Sequence, residues 1–231
     1  MSKKEKGSGS RHLTVKLKKS RGRSISSQRW LQRQLNDPYT QEAQKLGYRS
    51  RAAFKLIHIH EKYNILKPSM RVVDLGAAPG GWCQVLTEYI DTSKSRNEII
   101  AIDILEMEPM AGVTTLQLDF ENPDAPEVLK SNMSGAADLV LSDMAPPTTG
   151  HKNTDHLRIM ALVEMAYDFA EQILAPGGVF VAKVFQGGTE QELLKKLKQD
   201  FEKVHHFKPE SSRKDSSEMF VVAIGFKKKI D

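Results

Sequence analysis

The sequence has little cysteine and no long apolar run. Its single cysteine, Cys83, excludes a disulfide within the chain and a zinc site built from several cysteines. No apolar stretch approaches the roughly 20 residues that a membrane-spanning helix needs. The N-terminus is basic and polar and lacks the apolar centre of a secretory signal. For 231 residues we expect a cytosolic chain of one domain, or of one domain and a tail.

Excess positive charge is absent from most of the chain. The first 30 residues hold ten lysines or arginines and one acid, a net charge of +9, whereas the whole chain carries +5 and the remaining 201 residues therefore −4. Such blocks are commonly disordered, and they either bind nucleic acid or keep a protein soluble. Because glycine and serine separate the basic residues and no apolar face accompanies them, residues 1–27 are predicted to be a disordered tail that contacts RNA or DNA.

Strands and helices are predicted to alternate after this tail. A short helix at 28–35 leads to an Asn-Asp-Pro turn at 36–38, and apolar residues three and four apart predict a helix over 50–63. Short apolar runs predict strands at 71–75, 98–102, 114–118, 138–142, 179–184, 203–207 and 219–226. Helices are predicted between strands, one ending near residue 90 and others at 123–132, 155–174 and 190–200.

This alternation predicts an α/β fold, a doubly wound and mostly parallel sheet of seven strands with helices on both faces. The fifth strand is apolar almost throughout, as is typical of a strand covered on both sides. The loop before the last strand has too few helical residues for a parallel crossover. We therefore expect the last strand to be antiparallel.

Charged residues stand at or near the ends of five successive strands: Asp74, Asp103, Asp119, Asp143 and Lys183. The carboxyl ends of parallel strands meet at one edge of a sheet, where ligands bind. A single acid after a strand is usually a turn or helix-cap residue. Five such residues together predict a shared site.

The turn after the first strand, DLGAAPGGW at 74–82, helps to identify the ligand. It lacks the G-x-G-x-x-G pattern, and Trp82 stands where a phosphate-binding loop needs lysine. Clustered carboxylates would repel a pyrophosphate but suit a cationic ligand with hydroxyls and an amine, such as S-adenosylmethionine. Asp103 is placed to accept from ribose hydroxyls and Asp119 from the adenine amine, while Phe120 is either a face for the adenine ring or a core residue.

Lys183 interrupts the apolar run GGVFVAKVFQGG at 177–188. It either extends its amine to solvent or is a base whose pKa is lowered by burial or by a second positive charge. A hydroxyl methyl acceptor needs such a base. After the fourth strand the chain reads DMAPP, not the D-P-P-Y or N-P-P-Y of amino-methylating enzymes. Cys83 lies away from the nucleophile position of cytosine-C5 enzymes and is predicted to be a small core residue.

These motifs resemble the FtsJ-like family of RNA 2′-O-methyltransferases, and within it the branch that acts on large-subunit ribosomal RNA. The resemblance spans about residues 27–226 and is carried by GYRSRAAFKL at 47–56, the turn at 74–82, LSDMAP at 141–146, and Lys183. It implies a Rossmann-like methyltransferase fold over residues 28–231, with S-adenosylmethionine as methyl donor. The implied acceptor is a uridine of 23S ribosomal RNA in the assembled 50S subunit.

The resemblance also implies which residues act. The implied catalytic residues are Lys183 as general base, Asp143 and Lys55 to hold the reacting groups, and Glu218 to support the lysines. The implied cofactor contacts are Gly80, Trp82, Asp103, Asp119 and Asp143. Without the resemblance, Lys55 is interpreted as a solvated residue on its helix face and Glu218 as an ordinary strand edge.

We expect a monomer that needs neither membrane nor metal. His58 and His60 are two apart on a helix, and His205 and His206 are adjacent on a strand, so neither pair can share a ligand. Three alternatives stay open. They are a transfer RNA 2′-O-methyltransferase, a non-catalytic ribosome assembly factor on the same fold, and a dinucleotide-dependent oxidoreductase. The approach to the first helix, with Arg29-Trp30 and NDPY at 36–39, favours ribosomal over transfer RNA.

Overall fold

The structure, a computed structural model, describes residues 24–146, 149–185 and 191–227. Most of the predicted tail, residues 1–23, therefore lies outside the described residues. The helices are α1 Ile25–Leu35, α2 Pro38–Leu46, α3 Ala53–Tyr63, α4 Gly81–Tyr89, α5 Ala125–Ser131, α6 Lys152–Ile173 and α7 Gln191–Asp200. The strands are β1 Arg71–Leu75, β2 Glu98–Asp103, β3 Thr114–Gln117, β4 Ala137–Ser142, β5 Leu174–Phe185, β6 Phe201–Phe207 and β7 Glu218–Phe226.

The strands form one sheet in the order β3-β2-β1-β4-β5-β7-β6. The first five strands pair in parallel, whereas β7 runs antiparallel to both β5 and β6. The predicted seven-stranded α/β fold with an antiparallel last strand is confirmed. Because β7 inserts beside β5, its first residue lies next to the carboxyl end of β5.

Apolar residues cover both faces of the sheet. Neighbouring residues of one strand enter opposite cores, as Val72 and Val73 do in β1. One core packs against α5, α6 and α7, and the other against α3 and α4. A central strand must therefore be apolar at nearly every position, which explains the continuous runs that predicted β1, β4 and β5.

Two local predictions differ from the structure. The turn predicted at 36–38 is present at Asn36, but it leads directly into α2, which the sequence does not predict and which the Asp37 carboxylate caps by accepting a 3.0 Å hydrogen bond from Thr40 N. Ala43 is the buried residue of α2, so an apolar period is missing there. Strand β5 begins at Leu174 instead of residue 179, because Leu174 already pairs with Ala137 of β4. A register shift separates this pair from the regular pairing that starts at Leu139 and Val179.

Candidate active site

The four residues that the resemblance implies as catalytic lie together. Lys183 Nζ is 2.9 Å from Asp143 Oδ1 and donates a 2.6 Å hydrogen bond to the Asp143 backbone carbonyl. Lys55 Nζ is 3.3 Å from Asp143 Oδ2 and donates to Glu218 Oε2 at 2.8 Å. These four side chains, called the tetrad below, form one network of alternating charge.

The tetrad is largely shielded from solvent, with side chains between 8% and 15% exposed. Burial disfavours the charge on Asp143, but the Lys183 and Lys55 ammonium groups outweigh it and lower the pKa of this carboxyl. Burial also disfavours the charge on Lys55, yet Asp143 and Glu218 together raise the pKa of its ammonium. Lys55 is thus held in its charged form, and its interpretation as a solvated surface residue is wrong.

Sheet register and helix packing bring these distant residues together. The antiparallel pairing of β5 with β7 sets Glu218 opposite Phe185 and Phe220 opposite Lys183. Lys55 enters from α3, and its Nζ lies 5.6 Å from the centre of the Phe220 ring, within cation–π range. Three elements that are far apart in sequence therefore fix the geometry.

The glycine-rich turn between β1 and α4 passes close to other parts of the chain. At Gly76, where φ is +78°, an added Cβ would lie 2.8 Å from the backbone nitrogen of Met144. At Gly80, where φ is +104°, it would lie 3.1 Å from both Arg49 Nη1 and Met107 Sδ. Both positions require glycine, because of the left-handed backbone and because of the close approach.

A cavity of about 170 Å³ lies beside this turn. Its described walls include Gly76, Asp103, Asp119, Phe120, Glu121 and Met144. Three of its described wall residues are acids and none is a cation, so it is called the acidic cavity below. Asp103 accepts from Ala78 N at 2.9 Å and Asp119 from Glu121 N at 2.9 Å. Each carboxylate keeps lone pairs that can accept from a ligand.

Phe120 fits both interpretations that the sequence left open. It lines the acidic cavity, yet it is 7% exposed and packs edge-on against Phe169 with ring centres 5.6 Å apart. Its ring is therefore a wall that the core holds in place.

Trp82 can meet a ligand only through its backbone. Its indole is 3% exposed, donates from Nε1 to the Ala52 carbonyl at 2.8 Å and lies 5.8 Å from the Phe220 ring centre. Trp82 is the second residue of α4, and the first N–H groups of a helix have no partner within the helix. The side chain thus anchors the helix, and the N–H is the group left for binding.

Asp74 differs from the other charged strand-end residues. It is 1% exposed, accepts a 3.3 Å hydrogen bond from Cys83 Sγ, and is not among the described walls of the cavities. Burial raises the pKa of Asp74 to about 7, and the neighbouring Asp143 and Asp103 add to this effect. Asp74 is thus buried near Asp143 and Asp103, and its part in the shared site stays a prediction, whereas the prediction that Cys83 is a core residue is confirmed.

A second cavity, of about 510 Å³, has Lys55 among its described walls. Its described walls include Ser212 and carry four cations, Arg33, Arg51, Lys55 and Arg213, against two acids, Asp215 and Glu218, so it is called the basic cavity below. Sequence reasoning missed its arginines and Ser212. They come from α1, from the segment before α3 and from the loop between β6 and β7, and each alone looks like an ordinary polar residue.

Most of the chain matches the sequence model of a known family. The sequence model of the FtsJ-like methyltransferase family matches residues 48–226, which include the whole tetrad and both sides of the glycine turn. Within the part of the chain that the structure describes, no three His, Cys, Asp or Glu side chains are placed to hold a metal ion. No helix there is both long and apolar enough to span a bilayer.

Similar proteins extend this match to nearly the full chain. "Ribosomal RNA large subunit methyltransferase E" of Azorhizobium caulinodans is 57% identical over 231 residues, covering 100% of this chain and 96% of that protein. The protein of the same name from Paramagnetospirillum magneticum is 59% identical over 221 residues, covering 95% and 91%. A Plasmodium falciparum crystal structure, assigned as a ribosomal RNA methyltransferase, superposes with a TM-score of 0.67 at 34% identity and covers 78% of this chain and 98% of that one.

Proposed function

This chain belongs to the FtsJ-like methyltransferase family, and on that premise we propose that it transfers the methyl group of S-adenosylmethionine to a ribose 2′-hydroxyl of a uridine in large-subunit ribosomal RNA. One observation carries the proposal. The tetrad connects an acidic cavity with a basic one, since Met144 of the acidic cavity directly follows Asp143, and Lys55 and Glu218 line the basic cavity. A cationic donor and a polyanionic acceptor require this asymmetry.

The donor side is assigned from the chemistry of its residues. Asp103 would accept from the ribose hydroxyls and Asp119 from the adenine amine, while the backbone at Gly80 and the N–H of Trp82 would receive the amino-acid end. Asp143 would oppose the positive sulfonium. The glycine cradle and the carboxylate set fit this cofactor. When bound, S-adenosylmethionine supplies an electrophilic methyl group.

Lys183 is the base in this proposal. Among the residues that the structure describes, its Nζ makes two short contacts, both to Asp143. A neutral amine has two N–H groups and one lone pair, so these two acceptors would take the N–H groups and leave the lone pair for the proton of the acceptor hydroxyl.

The basic cavity would receive the RNA chain. Arg33 and Arg213 would contact phosphate oxygens beside the acceptor ribose, and the basic residues of the tail, 1–27, would add contacts further away. Large-subunit RNA is favoured over transfer RNA because relatives at 57% and 59% identity carry that substrate in their names. One chain supplies the whole tetrad, so the protein would act as a monomer, on ribosomes in the cytoplasm.

The decisive experiment offers labelled S-adenosylmethionine to unmethylated large subunits, naked ribosomal RNA and transfer RNA in parallel. The label is then mapped by nuclease digestion and mass spectrometry, with the Lys183→Met variant as an inactive control. We expect label on one uridine ribose of the assembled subunit. Label on transfer RNA alone would overturn the substrate. Cofactor binding without label on any RNA would favour the assembly-factor alternative.

A further inference from the structure

Both carboxylate oxygens of Glu218 are held by other side chains. Oε2 accepts from Lys55 Nζ at 2.8 Å, and Oε1 accepts from the Ser212 hydroxyl, also at 2.8 Å. Ser212 is 6% exposed, so water competes weakly for its hydrogen bond. A glutamate side chain has three rotatable bonds, and holding it in one orientation costs conformational entropy. The bond from Ser212 therefore helps to decide where Oε2 points.

The turn that carries Ser212 is attached to the segment around the start of α3. Arg51 donates from Nη2 to the Ser211 carbonyl, and Ser211 N donates to His58 Nδ1 at 3.4 Å. Ser211 is 1% exposed, and Ser212 N closes the turn by donating to the Pro209 carbonyl at 2.9 Å. The place of the Ser212 hydroxyl thus depends on Arg51.

Arg51 is fixed by Asp37 at the start of α2. Its Nη1 donates to Asp37 Oδ2, while Oδ1 of the same carboxylate caps α2 through Thr40 N. Arg213 Nε lies 3.6 Å from Asp37 Oδ2 as a second cation. The Asp37 and Arg51 side chains are 9% and 16% exposed, so losing either charge would leave the other poorly compensated.

We propose that Asp37, Arg51 and Ser212 are positioning residues that act in series to aim Glu218 at Lys55. The inference rests on the proposed function, because it assigns these residues a part in the same methyl transfer. Asp37 is the N-cap residue of α2 and precedes the segment 48–226 that matches the family model. The N-terminal helices then serve to arrange the active site as well as to cover it.

The first test removes the Ser212 hydroxyl. We expect Ser212→Ala to lower kcat on large subunits about tenfold, the loss of one hydrogen bond to a charged group. KM for the subunit and the dissociation constant of S-adenosylmethionine should stay within about twofold. Ser212→Thr keeps a hydroxyl and should restore kcat. Ser134→Ala is the matched control, since it breaks a 3.2 Å serine–glutamate hydrogen bond to Glu98 at the opposite edge of the sheet.

A second readout needs no turnover. If Glu218 leaves Lys55, the pKa of the Lys55 ammonium falls and more of its amine is neutral at a given pH. Competitive labelling with acetic anhydride, followed by peptide mass spectrometry, should then show faster acylation of Lys55 in Ser212→Ala than in wild type or Ser212→Thr. Acylation of Lys196 on α7 gives the internal reference. Unchanged Lys55 labelling together with unchanged kcat would overturn the inference.

The order of the series is tested by changing Asp37, the member farthest from Glu218. Asparagine caps helices as well as aspartate does, so Asp37→Asn removes the charge facing Arg51 and keeps the α2 cap. We expect Asp37→Asn to lower kcat, and the double variant with Ser212→Ala to lose no more than Ser212→Ala alone. Asp168→Asn, which removes a surface ion pair with Lys196, is the control. Additive losses would contradict a series. Absence of methyl transfer by wild type, with the Lys55 labelling change intact, would refute the proposed function alone.

Discussion

The two cavities beside the tetrad differ in charge and in how they are built. The acidic cavity follows the carboxyl ends of β1 to β4, so its residues come from consecutive units of one sheet. The basic cavity joins α1, the segment before α3 and the loop between β6 and β7. A donor site can therefore be derived from strand ends, whereas the acceptor site depends on tertiary contacts between distant segments.

This difference explains the placement of the tetrad. Asp143 and Lys183 belong to the strand ends, and Lys55 and Glu218 belong to the basic side. One ion pair joins the two halves, between Lys55 Nζ and Asp143 Oδ2 at 3.3 Å, so the charge of one cavity is felt at the other. A substitution in one cavity should nevertheless change the binding of one ligand and leave the binding of the other unchanged.

The largest effect is expected from Lys183→Met, which removes the proposed base and keeps an apolar stem in β5. Methyl transfer should fall on the order of 10³-fold, the usual contribution of a general base. Binding of S-adenosylmethionine and of the large subunit should stay near wild type, since both cavities are intact. Lys196→Met, at an exposed ion pair with Glu171, is the control. Substantial activity in Lys183→Met would make Lys183 a structural lysine.

Asp74 is a carboxylate that the fold buries, whereas Asp103 and Asp119 line the acidic cavity. Its pKa is about 7 in the folded chain and about 3.8 when unfolded, so folding favours its protonated form. The stability contributed by this proton is complete below pH 4 and is lost as the pH rises to about 7. We expect Asp74→Asn to raise the free energy of unfolding by about 4 kcal/mol at pH 8.

Urea unfolding of wild type and Asp74→Asn at pH 4, 6 and 8 measures this difference. The advantage of the variant should shrink as the pH falls and vanish near pH 4. A difference independent of pH would mean that Asp74 is already ionised at little cost in the folded chain.

The sequence predicts the sheet well because a buried strand has a recognisable pattern of apolar residues. Continuous apolar runs mark the central strands, and a helix-poor loop marks the antiparallel β7. Helix α2 has almost no such apolar pattern, since Ala43 is its buried residue. A polar helix that packs through one small side chain looks like a loop in an apolar pattern.

The candidate site was predictable on its strand-end side only. Asp103, Asp119, Asp143 and Lys183 follow from strand ends, whereas Asp74, one residue before the end of β1, is buried and is not among the described walls of either cavity. Lys55 and Glu218 came from family resemblance. The ion pair between Asp37 and Arg51 depends on how α2 packs against the start of α3, which no local pattern encodes.

Asp103→Ala tests whether the acidic cavity binds S-adenosylmethionine and leaves the binding of RNA to the basic cavity. It removes a proposed ligand acceptor, and the affinity for S-adenosylmethionine should fall about tenfold to a hundredfold, as for other hydrogen bonds to a charged group. Binding of the large subunit should not change. Titration calorimetry with the cofactor and filter binding with subunits measure the two sides, and Asp168→Ala is a surface control. Equal weakening of both would mean that Asp103 supports the fold instead of the ligand.

Arg33→Gln tests the basic side and has the smallest expected effect. Arg33 is an exposed wall residue of the basic cavity, so its loss should raise KM for the large subunit about fivefold at low salt. Counterion release gives a sharper readout, because each lost phosphate contact lowers the slope of log affinity against log salt by about 1. Affinity for S-adenosylmethionine should be unchanged. Arg96→Gln, at an exposed arginine before β2 on the opposite edge of the sheet, should leave both slope and KM at wild-type values. If Arg33→Gln also kept the wild-type slope, the RNA chain would have to enter by another face, and the charge difference between the two cavities would have no bearing on the acceptor.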